Sequence, residues 1–172
     1  MVSGHKQTGF TIVELLIVIV VIAILAAITI VAYNGIQNRA ADAAVQSDLN
    51  ALIKKAGLFN VDNSRYYTAV AEITGFTATK SGYATAPTTS SNLFACFVTS
   101  GSLFGVGALS KSGKIYYVTT ADNSVKEYTA GGWFATSGAG CTAIMGVSGT
   151  NYNAYSSTDT TTGPWRAWAG GN

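Results

Sequence analysis

Residues 9–33 read GFTIVELLIVIVVIAILAAITIVAY, and this stretch decides the architecture. From Leu15 to Ile28 no polar residue intervenes, and only Glu14 and Thr29 interrupt the wider run Ile12–Ala32. As an α-helix rising about 1.5 Å per residue, Phe10–Tyr33 is about 36 Å long, enough to cross a hydrocarbon core of about 30 Å. Val and Ile dominate the run and are indifferent helix formers in water. In lipid, however, the backbone has only itself to hydrogen-bond, so the helix prevails. The stretch predicts a membrane span.

Ahead of it, residues 1–9, MVSGHKQTG, form a short polar leader with His5 and Lys6. An ordinary secretory signal places its apolar region before a small-residue cleavage site. Here the order is inverted: Gly9 precedes the apolar run, so a cut there leaves the hydrophobic helix on the mature chain. Lys6 favours the leader side remaining cytoplasmic. A carboxylate such as Glu14, held at depth without a partner, costs at least about 2–3 kcal/mol. Cleavage after Gly9 would free an α-amine on Phe10, one helical turn away, as a counter-charge within one subunit or between neighbours. Alternatively, Glu14 sits at the headgroup level and is solvated. The residues alone leave both readings open.

Gly9-Phe10-Thr11-Ile12-Val13-Glu14-Leu15 resembles the class III signal of type IV prepilins and pseudopilins, and the likeness runs on through Ile24–Ile28 to Ala32-Tyr33. The resemblance implies that prepilin peptidase cuts after Gly9 and N-methylates Phe10. It also implies that Glu14 neutralises the methylated amine of an adjacent subunit during assembly. The protein is then a single-pass precursor in the cytoplasmic membrane that becomes a subunit of an extracellular pilus. Its implied partners are further copies of itself in a helical filament, other pilins, the pilus assembly platform and the peptidase. Two positions depart from the family pattern: Val31 stands where a proline is common and Ala23 where a glycine is common. Without them the membrane half has no built-in weak point. Asn34-Gly35 is either a displaced weak point or a site of close helix packing.

Beyond Tyr33 the pattern stays helical but turns amphipathic over residues 34–59. Ala41, Val45, Leu49, Leu52 and Ala56 fall on one face, with Arg39, Gln46, Asn50 and Lys54 on the other, and Gly57 is the stop signal unless Leu58-Phe59 extend the helix slightly. Residues 60–172 form a globular head. Asp62-Asn63-Ser64 is turn chemistry, Tyr66-Tyr67 packs back on the head, and Thr68 is placed to cap a short helix over Ala69–Ile73 ended by Gly75. Ala84–Asn92 reads as a Thr/Ser/Pro loop, a surface linker or an O-glycosylated one. Leu93–Thr99, Leu103–Leu109, Ile115–Thr120 and Val125–Tyr128 then read as strands joined by local turns, an antiparallel meander. Asn151–Asn172 reads as a tail whose Trp165 and Trp168 plug a sheet edge or the core, or else line an adhesive patch. The fold class is α+β: a long N-terminal helix packed on an antiparallel sheet, pilin-like.

Cys96 falls on the Phe94/Cys96/Val98 face of the first strand, and Cys141 in a Gly-rich stretch. With no CxxC pattern and the only histidine at His5, no zinc site is expected. Outside the cytoplasm the two cysteines predict one disulfide, closing a loop worth about 4 kcal/mol in the chain-entropy model. Two buried free thiols are the alternative.

Composition excludes more than it proposes. Charged residues make up only 10% of the chain and the net charge is +2, with no basic run, so nucleic-acid binding has no electrostatic support. With 48% apolar and 11% aromatic residues, the head has the means to bury a core. No histidine follows His5, and no nucleophile elbow or phosphate loop occurs, so no enzymatic activity and no cofactor is expected. These features predict a structural pilus subunit. The rival readings are a minor pilin acting as a tip adhesin or in DNA uptake, and a pseudopilin of type II secretion. Major pseudopilins typically hold calcium in a C-terminal acidic loop, whereas Asp159 is the only acid here after Glu127.

Overall fold

The computed structural model describes residues 9–84, 92–130, 137–146, 152–156 and 167–169. Helix α1 spans Ile12–Asn63 and is followed by a sheet of strands β1 (Leu93–Val98), β2 (Phe104–Leu109), β3 (Ile115–Thr119), β4 (Lys126–Glu127) and β5 (Tyr152–Ser156). A second helix, α2 (Ser137–Met145), lies between β4 and β5 in the chain. By its contacts the chain divides into two compact units, Met1–Gln37 and Asn38–Asn172. The class is α+β, as the period-3.6 and period-2 segments imply.

In the second unit, all strand pairs are antiparallel and the order is β4-β3-β2-β1-β5. The expected meander is present, each strand a residue or two shorter than its sequence pattern, because the terminal residues bend into the turns. β5 corrects the reading of residues 151–172 as a tail: Tyr152–Ser156 pairs with β1 from Phe94 to Val98. Its alternation of Tyr, Asn, Ala and Ser is too polar to stand out beside the apolar strands.

β1 and β2 are buried along their full length because the sheet is covered on both faces. On one face, Leu93, Ala95, Phe97, Phe104, Val106, Ala108, Tyr116 and Val118 meet Val45, Leu49, Leu52, Ile53 and Ala56 of α1. The helix face predicted from spacing is therefore the buried one. Tyr67 stacks between Phe59 and Phe104, with ring centroids 4.5 and 5.3 Å away, so Tyr66-Tyr67 does fold back on the head. Trp168 joins the same core, while Trp165 lies outside the described residues. On the other face, Phe94 and Cys96 pack with Cys141 and Ile144 of α2. The Gly-rich stretch around Cys141 is thus a helix, stabilised by its packing on the sheet rather than by propensity. A disulfide joins Cys96 to Cys141 with a Cα–Cα distance of 5.5 Å.

Glycines of β2 make that second layer possible. Gly105 and Gly107 are paired across from Cys96 and Phe94, and the Phe94 ring lies over Gly107 so closely that a Cβ there would meet its Cζ at 2.3 Å. A side chain at position 107 would expel the ring.

Three local expectations are corrected. Helix α1 does not stop at Gly57. It continues to Asn63, whose Nδ2 donates to the Phe59 carbonyl (2.9 Å), and it ends where Ser64 takes a left-handed φ of 56° and donates its N–H to the Asn60 carbonyl (2.8 Å). Asp62 and Asn63 are therefore helical rather than part of the turn. The helix expected over Ala69–Ile73 is a single 3-10 turn, Val70–Glu72. Thr68 does not cap it by accepting from its backbone. Instead the Glu72 carboxylate accepts the N–H groups of Thr68 (2.7 Å) and Ala69 (3.3 Å) and pairs with Arg65 at 2.6 Å. Hydrogen bonding from Arg65 holds the Glu72 carboxyl down to about 2.

Asp48, which the helix pattern alone gave no reason to single out, faces inward and is buried. Its carboxylate accepts the N–H of Thr79 (2.6 Å), the hydroxyl of Thr79 (3.0 Å) and the phenol of Tyr83 (3.0 Å), which ties the segment before β1 to α1. Burial, reinforced by the facing carboxylate, pushes the Tyr83 phenol well above its ordinary range. Nearby, Asp42 accepts a hydrogen bond from Ser112 in the β2–β3 turn. Most of the Thr/Ser/Pro loop, residues 85–91, lies outside the described residues.

Two substitutions test this account of the head. Gly107→Val should lower the stability of the oxidised protein by about 1–3 kcal/mol through overpacking against Phe94. Cys141→Ser should lower it by roughly 2–5 kcal/mol. Denaturant melts of the oxidised proteins measure both, and an unchanged midpoint in either variant contradicts the corresponding contact.

Candidate processing and assembly segment

The large apolar residues described between Phe10 and Ile36, Val31 not among them, are exposed, from 47% at Val20 to 88% at Phe10. Among the described residues nothing covers them. A surface of this kind cannot face water over its whole length. By length and composition α1 is suited to cross a membrane near the N-terminus. The one hydroxyl between Ile12 and Ala32, Thr29 Oγ1, donates to its own helix at the carbonyls of Leu25 (3.0 Å) and Ala26 (2.9 Å). It therefore adds no unsatisfied polar group to the apolar surface.

At the start of the helix, the structure brings Glu14 to Thr11. Glu14 Oε2 accepts both the backbone N–H of Thr11 (2.8 Å) and its hydroxyl (2.7 Å), while the Glu14 N–H donates to Thr11 Oγ1 at 3.2 Å. This is a reciprocal capping box. It satisfies two of the backbone donors that a helix start leaves unpaired, and it places negative charge at the positive end of the helix dipole. Thr11 is the residue that sequence reasoning missed. The signal is Thr-x-x-Glu immediately before an apolar run.

Phe10 lies one turn before Glu14 in sequence and is almost fully exposed. Gly9 is exposed too, with no atom within 4 Å of where a Cβ would stand, and its φ is outside the left-handed region. The fold itself therefore does not require glycine at position 9. The rest of the expected leader, residues 1–8, lies outside the described residues.

With this geometry in place, comparison with known proteins is informative. Residues 4–30 match the family model of the prokaryotic N-terminal methylation motif. The chain is 42% identical over 62 residues to the type IV wide pilus major component PilA4 of Thermus thermophilus, a match covering 36% of this chain and 47% of that protein. It is 33% identical over 64 residues to the type II secretion system core protein G of Pectobacterium carotovorum, covering 37% of this chain and 41% of that protein. The corresponding protein of Klebsiella pneumoniae is 38% identical over 64 residues, with 37% and 46% covered. The matches thus span less than half the length of these relatives. No solved structure matches the chain significantly. The N-terminal third of the chain is thus similar to that of a type IV pilus component and of type II secretion core proteins.

Because Gly9 has open space around it, Gly9→Val should leave the helix and the Thr11–Glu14 box unchanged while blocking the removal of residues 1–9 that the resemblance implies. Circular dichroism in detergent and the mass of the membrane-bound chain measure the two effects. Normal processing of that variant would show that glycine is not what the peptidase reads.

Proposed function

We propose that this protein is a structural subunit of a type IV pilus filament. In this reading prepilin peptidase cuts between Gly9 and Phe10 and N-methylates Phe10, and the apolar half of α1 holds the chain in the cytoplasmic membrane until assembly. The single observation that carries the proposal is the exposed apolar surface of the first half of α1, which begins beside a Gly-Phe junction and has Glu14 as its one acidic residue. Filament assembly moves that surface from lipid into contact with the same surface on other copies, so it never meets water. The pilus relative supports this reading. The type II secretion relatives support a pseudopilin as the second reading, since the shared segment serves both.

Glu14 separates membrane insertion from assembly. In the membrane its carboxylate is satisfied by Thr11. In the filament we assign it a second contact, the methylated amine of Phe10 on an adjacent subunit. Glu14→Leu makes the span more apolar, so insertion should be unimpaired, and cleavage after Gly9 should persist because the scissile bond is untouched. Incorporation should fail, because a buried amine without its counter-charge costs roughly 3–5 kcal/mol. In cells making only the variant, mass spectrometry should find a chain beginning at N-methylated Phe10 in the membrane and electron microscopy should find no filaments. Normal filaments would remove Glu14 from the assembly contact, and an intact residue 1–9 segment in wild-type filaments would overturn the processing scheme.

A further inference from the structure

The cations of the second unit are unevenly placed. The ion pairs among the described residues are Arg65–Glu72, Lys114–Glu127 and Lys126–Asp122, which leaves Arg39, Lys54, Lys55, Lys80 and Lys111 without an acidic partner there; of these, Arg39, Lys80 and Lys111 belong together. All three are exposed. Arg39 stands three residues before Asp42 and so on the same helix face. Asp42 is held by Ser112, next to Lys111 in the β2–β3 turn. The Lys111 N–H donates to the Gly82 carbonyl at 2.9 Å, and Gly82 closes the 3-10 turn that begins at Lys80. Gly82 itself lies against Ala41 and Ala44 of α1, where an added Cβ would stand 3.0 Å from the Ala44 methyl. Three segments distant in sequence are therefore gathered around the first turns of the head's part of α1. The acids of this region each accept hydrogen bonds: Asp42 from Ser112, Asp48 from Thr79 and Tyr83, and Glu127 from Lys114, the one ion pair among them.

Arg39 comes three positions after Ile36, the last large residue of the exposed apolar run. In the sequence, Arg39 is therefore the basic residue of the head nearest to that run. We propose that Arg39, Lys80 and Lys111 form a basic collar that docks on the anionic phosphates of a lipid bilayer surface. The proposal rests on the membrane-anchored precursor described above. Each basic residue near an anionic surface favours contact roughly fivefold, so three of them are enough to hold the head down, and the effect fades with salt. Lys54 lies fifteen residues further along α1, about 22 Å from Arg39 and more than two Debye lengths away at physiological salt. It is an exposed internal control. The collar would bias an unassembled subunit toward the membrane surface and release it once its helix is drawn into a filament.

The test uses the full chain reconstituted in vesicles of phosphatidylcholine alone or with phosphatidylglycerol, labelled with a membrane-impermeant amine reagent and read by mass spectrometry. In the anionic vesicles Lys80 and Lys111 should label at least threefold more slowly than in the neutral ones, with Lys54 unchanged and the protection lost in high salt. Arg39→Gln combined with Lys80→Gln should return Lys111 to the neutral-vesicle rate while the Cys96–Cys141 disulfide stays intact. Equal labelling in both vesicles overturns the collar. So does equal protection by inorganic phosphate with neutral vesicles, which would make this a phosphate-ion site rather than a surface contact. A chain that fails to float with either vesicle overturns the anchoring on which the collar depends.

Discussion

An apolar helix surface with nothing of its own chain to cover it is the constraint on which the rest of this protein depends. Hydrophobic burial scales with area removed from water, and side chains from Phe10 to Ile36 that remain about half exposed or more carry a penalty the chain cannot relieve internally. Lipid or other copies of the same surface must relieve it. This explains why polar groups in the run are so tightly managed. Thr29 returns its hydroxyl to its own carbonyls, and Glu14 closes a box with Thr11. Each device keeps the run compatible with a dry surrounding.

The head solves a different problem. The same helix that needs an external partner in its first half supplies half of a core in its second, and the transition occurs within a few residues of Asn38. From there Val45, Leu49 and Leu52 face the sheet, and the buried Asp48 carboxylate fixes the segment before β1 against the helix with three hydrogen bonds. A buried carboxylate is tolerable only with its oxygens satisfied, and Asp48 meets that condition through Thr79 and Tyr83. The opposite face of the sheet is closed by α2 through the disulfide and the Phe94–Gly107 contact.

How much of this was legible in the sequence depended on which physical signal each element carries. The long helix, the buried stripe from Ala41 to Ala56 and the four-strand meander were legible because period and hydrophobicity agree there. Gly57 misled because a glycine ends a helix only where the next residues have nothing to gain by continuing it. Phe59 still has packing to gain, since it reaches Tyr67, although Leu58 beside it stays exposed. Helix α2 and strand β5 were illegible for the opposite reason. Their residues are small or polar, and only tertiary contacts, which no local window contains, give them their conformations. At the N-terminus the Gly-Phe junction and Glu14 stood out by contrast with their surroundings. Thr11 did not, since a hydroxyl before an apolar run acquires meaning only when paired with the carboxylate three residues on. Asp48 was hidden likewise, because its partners lie some thirty residues away.

The Cys96–Cys141 bridge has a mechanical meaning as well. Its ends are separated by 45 residues, and the chain between them contains β2, β3, β4 and the first half of α2. Tension drawn along the chain from α1 reaches β1 and crosses directly through the sulfur–sulfur bond into α2. The enclosed strands carry none of that covalent load. Roughly 150 Å of contour length is thereby withheld from extension. A filament built from such heads lengthens under pull only as far as its non-covalent contacts allow, and the strands of the meander cannot be drawn out one after another.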